Sequence, residues 1–151
     1  AVTDRVSPPV PTVYTPRHMP EKIIDINVLL DKLKVTGSLI LDARPRARFE
    51  GAAPEPRASL RSGHMPGSRS LPFGELIRDG ALKPRDELET IFKAYGIEDA
   101  GTIVTTCGSG VTAAIISMAL YEIGHTSARL YDGSWAEWGQ DMLDTPVVIG
   151  A

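Results

Sequence analysis

The chain has 151 residues, enough for one domain with a core of its own. Its 42% apolar and 23% charged residues exclude collagen-like, coiled-coil or wholly disordered architecture. A net charge of −3 argues against a general binder of nucleic acid or anionic membranes, and one cysteine excludes an intrachain disulfide.

Three scattered histidines (His18, His64, His125) and one cysteine do not make a structural zinc site, so no metal is expected. No organic cofactor is expected either. The longest apolar stretch, Val111 to Tyr121, is interrupted by Thr112 and Ser117 and is too short for a bilayer. A lone cysteine fits a reducing compartment, the cytoplasm or a mitochondrial matrix. The chain begins with Ala rather than Met, which suggests a processed chain or a piece of a longer one.

Residues 1–20 carry five of the twelve prolines (Pro8, Pro9, Pro11, Pro16, Pro20) and no apolar periodicity, and read as a linker or extended arm. From residue 21 to 151 the pattern is that of one domain. Lys22 to Ile24 suits a short strand. Asp25 can cap a helix whose apolar positions are Ile26, Leu29, Leu30 and Leu33, ended by Gly37. Ser38 to Leu41 reads as a buried strand with Asp42 at its end, and Arg69 to Leu71 as a short one. Pro84 to Tyr95 is a helix followed by Gly96. Thr102 to Thr106 is β-branched and reads as a core strand. Val111 to Ile123 is an apolar helix stopped by Gly124. Ala128 to Tyr131 is a strand, and Ser134 to about Gln140 a short helix. This alternation predicts an α/β fold with a mainly parallel sheet.

Between the β-branched strand and the apolar helix lies Cys107-Gly108-Ser109-Gly110-Val111-Thr112. Binding sites in parallel sheets sit at the C-terminal ends of strands. Two glycines allow the backbone to curl its N–H groups inward over the start of the helix, which makes an anion cradle. A thiol held there has a depressed pKa, so Cys107 is a candidate nucleophile rather than a small buried core residue. Phosphoryl transfer is disfavoured, because the sixth position after the cysteine is Ala113 and no arginine lies in the loop. A cysteine-protease reading would need His64 as base, and the sequence does not place it near Cys107.

Six of the eleven arginines (Arg44, Arg46, Arg48, Arg57, Arg61, Arg69) fall on the connection between Arg44 and Arg69, with only Glu50 and Glu55 as acids. Arginine suits planar carboxylates, although each of these could equally be a solvated residue with a local partner.

Three segments together resemble the rhodanese family: Gly63-His64-Met65-Pro66-Gly67, the six-residue loop from Cys107, and Asp132-Gly133-Ser134-Trp135-Ala136-Glu137-Trp138. The loop form, and the residues Asp42-Ala43-Arg44, Arg48-Phe49 and Pro54-Glu55-Pro56-Arg57, resemble its 3-mercaptopyruvate sulfurtransferase branch. The resemblance implies a five-stranded sheet flanked by helices and sulfur transfer through a Cys107 persulfide. The donor would be 3-mercaptopyruvate, and the acceptor a thiol, thioredoxin or cyanide. It implies stabilisation by the loop Gly108 to Thr112, substrate binding by Arg48 and Arg57, and a proton relay through Ser109. It also implies a partner, because such enzymes pair this domain with an N-terminal rhodanese domain of the same protein; the proline-rich opening matches the connector. A non-catalytic persulfide carrier or interaction module is the alternative, and a thiosulfate sulfurtransferase the enzymatic one.

The remaining features read as structural. His64 is expected to brace a turn. Asp42 is expected to accept backbone N–H groups or pair with an arginine. Ser134 and Glu137 form a capping-box pattern, and Trp135 and Trp138 fall on one helix face suited to packing.

Overall fold

The computed structural model describes residues 4, 10–33 and 37–150. Of the proline-rich opening, residues 1–3 and 5–9 lie outside the described residues; residues 10–19 are exposed and carry no regular element. Pro20 opens a 3-10 turn that runs to Lys22 and leads into β1, Ile23–Ile24. Asp25 then caps α1, Ile26–Leu33: its carboxylate accepts the N–H groups of Asn27 at 2.9 Å and Val28 at 3.0 Å.

Beyond Gly37 follow β2, Ser38–Asp42, the short helix α2, Arg46–Phe49, and β3, Ser68–Ser70. A hairpin of β4, Ile77–Arg78, and β5, Ala81–Leu82, precedes α3, Arg85–Ala94. The chain then forms β6, Thr102–Thr106, α4, Ala113–Glu122, β7, Arg129–Tyr131, and α5, Ser134–Trp138. Five of the strands make one parallel sheet in the order β1-β7-β6-β2-β3.

Alternation along the central strands sends side chains to opposite faces. Leu39, Leu41 and Ile103 enter a core with Leu88 and Phe92 of α3 and Ile116 and Leu120 of α4. Ile40 and Val104 enter the other, with Leu29 of α1 and Trp135 and Trp138 of α5. The near all-round apolarity of α4 has a partial explanation: Ala113, Ile116, Ala119 and Leu120 are buried, whereas Met118 and Tyr121 remain exposed.

The register matters most for the site. Asp42 lies opposite Thr106 in the β2–β6 ladder. The residues just beyond, Ala43 and then Arg44 on one strand and Cys107 and then Gly108 on the other, therefore emerge together at the C-terminal edge of the sheet.

Element boundaries differ from expectation in small ways. Pro84 stands before α3 rather than inside it, and α4 begins at Ala113 because Val111 and Thr112 still belong to the loop. The strand expected at Arg69 to Leu71 starts one residue earlier. The capping box of Ser134 and Glu137 does not form. The Ser134 hydroxyl points back toward β6, and the Glu137 carboxylate instead accepts the Tyr131 hydroxyl at 2.7 Å. Burial, with this carboxylate beside it, pushes the Tyr131 phenol pKa up.

Replacing Asp25 with alanine is expected to cost about 1 kcal/mol, the ordinary loss for a helix N-cap, while Asp25→Asn retains most of it. Urea unfolding of the two variants checks this, and equal losses would assign the effect to charge rather than to capping.

Candidate active site

A cavity of about 380 Å³ opens at this edge of the sheet. Its walls are Ala43, Arg44, Pro45 and Arg48 beyond β2, then Glu55, Pro56, Arg57 and Leu60 from the long connection. Phe73 closes one side, and Cys107, Gly108, Ser109, Val111 and Thr112 form the floor. The sequence-predicted residues Arg48, Arg57, Cys107 and Ser109 are thus brought together. Gly110 is the loop residue that stays out of the cavity. It has φ +83° and lies against Asp132, whose carbonyl oxygen would be 2.9 Å from an added Cβ.

Cys107 is 2% exposed and free. Burial alone would raise its pKa. That effect is outweighed by the hydroxyl of Thr112 and the backbone N–H groups of Ser109, Ala113 and Thr112, which all donate toward the sulfur, so the net shift is downward. The cradle read from the sequence is present, and it is made of several neutral donors rather than a basic side chain. Ser109 is exposed at the cavity mouth.

The arginines separate by role. Arg44 is buried, 1% exposed, and receives a full set of partners. Its guanidinium donates to Asp42 at 2.7 and 2.9 Å, to Glu55 at 2.9 Å and to the Gly63 carbonyl at 2.9 Å, and lies 4.3 Å above the Trp135 ring. Asp42 also accepts the Arg44 backbone N–H at 2.9 Å, as expected of a bracing carboxylate. Arg48 is held by the other side of Glu55 through Nε and Nη2, which leaves its Nη1 edge for a ligand. The same guanidinium packs over the loop: a Cβ on Gly108 would lie 3.1 Å from Arg48 Nη2. Arg57 is exposed and also lines the cavity.

The other three arginines lie elsewhere. Arg46 makes an exposed pair with Glu75, Arg61 ties the connection to the carbonyls of Trp138 and Thr145, and Arg69 donates to the Tyr95 carbonyl. His64 stacks on Phe49 with ring centroids 3.9 Å apart and bonds the Phe49 carbonyl at 2.9 Å, a bracing role away from the sulfur. Trp135 and Trp138 are fully buried in one core. Arg44 and Glu55 stand in the sequence as members of a charged segment and of the family-like stretches Asp42-Ala43-Arg44 and Pro54-Glu55-Pro56-Arg57, without an assigned role. The signal that could have found them is a lone acid between two prolines facing a run of arginines.

The fold and this site define the class: the chain belongs to the rhodanese-like domain family, whose family model matches residues 25–141. Within that family it is 43% identical over 128 residues to the 3-mercaptopyruvate sulfurtransferase of Escherichia coli strain K12, an alignment covering 85% of this chain and 45% of the relative. It is 37% identical over 129 residues to the mitochondrial thiosulfate/3-mercaptopyruvate sulfurtransferase 1 of Arabidopsis thaliana, covering 85% and 34%. The crystal structure of the Escherichia coli 3-mercaptopyruvate sulfotransferase superposes with a TM-score of 0.68 at 38% identity, over 82% of this chain and 45% of that one. The chain thus spans less than half the length of these relatives. No helix among the described residues is long and apolar enough to cross a membrane.

Arg44→Ala should be severely destabilising. It strands the buried Asp42 carboxylate and leaves Glu55 with Arg48 alone, and breaking a buried ion pair from one side costs about 3–5 kcal/mol. Thermal and chemical unfolding measure this; a loss under about 1 kcal/mol would mean that Asp42 finds another partner and that Arg44 is not the tie beneath the site.

Proposed function

We propose that this domain is a sulfurtransferase that takes sulfur from 3-mercaptopyruvate as a persulfide on Cys107 and passes it to an acceptor thiol, thioredoxin or cyanide. One observation carries the reading: a buried thiol, surrounded by inward N–H donors, faces Arg48 and Arg57 across a cavity sized for a small ketoacid. The likeness of the chain to 3-mercaptopyruvate sulfurtransferases supports the choice of donor.

In the first step the Cys107 thiolate attacks the sulfur of 3-mercaptopyruvate. The S–S bond forms as the C–S bond breaks, and the C–S electron pair leaves with carbon as pyruvate enolate. Sulfur is oxidised to the sulfane level and carbon is reduced, with no external oxidant. Ser109, at the cavity mouth, is assigned the transfer of a proton to the enolate carbon. Of the loop Gly108 to Thr112 and the residue after it, the N–H groups of Ser109, Thr112 and Ala113 stabilise anionic sulfur on Cys107 as an oxyanion hole stabilises oxygen. Arg48, through Nη1, and Arg57 hold the carboxylate and keto oxygen. In the second step an acceptor thiolate attacks the outer sulfur and Cys107 leaves as thiolate. This cycle needs a reduced Cys107, which fits the cytoplasm or a mitochondrial matrix. Residues 1–20 are assigned as the arm leading from an N-terminal rhodanese domain of the same protein.

Cys107→Ser should retain the fold and lose persulfide formation, since a hydroxyl is a poor soft nucleophile and no base adjoins it. Intact-mass spectrometry after incubation with 3-mercaptopyruvate reads this directly: the wild type gains one sulfur atom and the variant none. A sulfur adduct on the variant would overturn the assignment.

Donor preference follows from the placement of the cations. They stand on the cavity wall, while the loop itself presents the uncharged Gly108, Ser109, Val111 and Thr112, so a carboxylate monoanion is favoured over the thiosulfate dianion. Arg48→Ala and Arg57→Ala are each expected to lower kcat/KM for 3-mercaptopyruvate by a charged hydrogen bond, about 1.5–3 kcal/mol or roughly ten- to a hundredfold. Equal or higher kcat/KM with thiosulfate in the wild type would reverse the donor assignment.

A further inference from the structure

Ser134 carries backbone strain that its role in packing does not require. It is fully buried, and its φ of 51° puts a residue with a side chain in the left-handed region. The other such residue among those described, Asp79 at φ 53°, lies with Gly80 in the exposed turn of the β4–β5 hairpin, where this geometry is ordinary. Ser134 instead uses its whole hydrogen-bonding capacity beside the reactive loop. Its Oγ accepts the backbone N–H of Cys107 at 3.1 Å and the Thr106 hydroxyl at 3.4 Å, and donates to the Tyr131 carbonyl at 2.9 Å. The next two residues hold the two peptides that follow the Cys107 N–H in the chain. The N–H of Trp135 donates to the Cys107 carbonyl and that of Ala136 to the Gly108 carbonyl, each at 2.9 Å.

We infer that Ser134 is a positioning residue: its hydroxyl, with the N–H groups of Trp135 and Ala136, fixes the peptides of Cys107 and Gly108 so that the donors of Ser109, Thr112 and Ala113 converge on Cys107 Sγ. The inference rests on the reading of Cys107 as the reacting thiolate. Its logic is one of accounting for polar groups. The Cys107 N–H and the carbonyls of Cys107 and Gly108 are all engaged away from the cavity, so the chain after them must curl to present its following N–H groups to the sulfur. A Cys107 N–H without its acceptor is a buried orphan, and rotation of that peptide to find a partner would open the curl. The left-handed turn at residue 134 is what lets one side chain and two successive N–H groups face the same loop. The charged groups that also face the thiol are Arg44, Arg48, Arg57 and Glu55 around the cavity, with Asp132 behind Gly110. None of them shares a hydrogen bond with the Ser134 hydroxyl, so a change there reports on the loop.

The test compares Ser134→Ala and Ser134→Gly with the wild type, measuring the pH dependence of Cys107 alkylation by iodoacetamide together with thermal unfolding. Both variants remove the acceptor, but glycine relieves the left-handed strain and alanine keeps it. The glycine variant should therefore melt above the alanine variant, while the thiol pKa rises in both. Alkylation at pH 6 should fall about fivefold or more in each, because less thiolate is present. An unmoved pKa in folded Ser134→Gly overturns the positioning role. So does a pKa that moves in the alanine variant alone, following lost stability. A wild-type thiol that titrates at the ordinary value overturns the thiolate reading and the clamp with it, which separates that failure from a failure of the clamp alone.

Discussion

The site depends on a cation buried beneath it. Arg44 sits two residues beyond β2, out of water, between the carboxylates of Asp42 and Glu55, against the Gly63 carbonyl and over the Trp135 ring. An ion with so little exposure is tolerable only when every donor is matched, and the matching groups come from four separate segments. The end of β2, the long connection, the turn at Gly63 and α5 are thereby tied to one planar group. Glu55 passes the constraint outward, since its remaining capacity orients Arg48 at the cavity wall. The geometry of the arginine on the cavity wall is set by one that is almost wholly buried.

The second half of the site is built on opposed effects. Cys107 lies in the apolar core cluster, where burial disfavours a thiolate, yet four hydrogen bonds from Thr112, Ser109 and Ala113 reverse the balance. Neutral dipoles achieve this without adding positive charge to the loop. Cys107 lines the cavity, and the arginines on its wall stand apart from the donors around the sulfur.

Much of this could be read from residue order, and the reasons are local. Asp25 is a helix cap because its short carboxylate can reach two N–H groups, and Ser38–Asp42 and Thr102–Thr106 are strands because they are short, apolar or β-branched and bounded by breakers. The cradle at Cys107 follows from two glycines at a strand-to-helix junction. The role of Arg44 was not legible, because its partners are scattered from Asp42 to Trp135 and no spacing encodes them. The pattern at Ser134 misled for a different reason. A serine three residues before a glutamate has local capping partners, but tertiary partners on β6 and β7 claimed its hydroxyl and Tyr131 claimed the glutamate. The hairpin from Ile77 to Leu82 was missed because two-residue strands fall below any periodicity.

The close approach of Arg48 to Gly108 makes the wall and the floor of the cavity one inheritable unit. A Cβ at position 108 would lie 3.1 Å from Arg48 Nη2, so the guanidinium would have to shift by a few tenths of an ångström while keeping its bonds to Glu55. A bulkier loop therefore acts on the arginine as well as on the floor. Substitutions at these two residues, 60 positions apart in the chain, should couple rather than add.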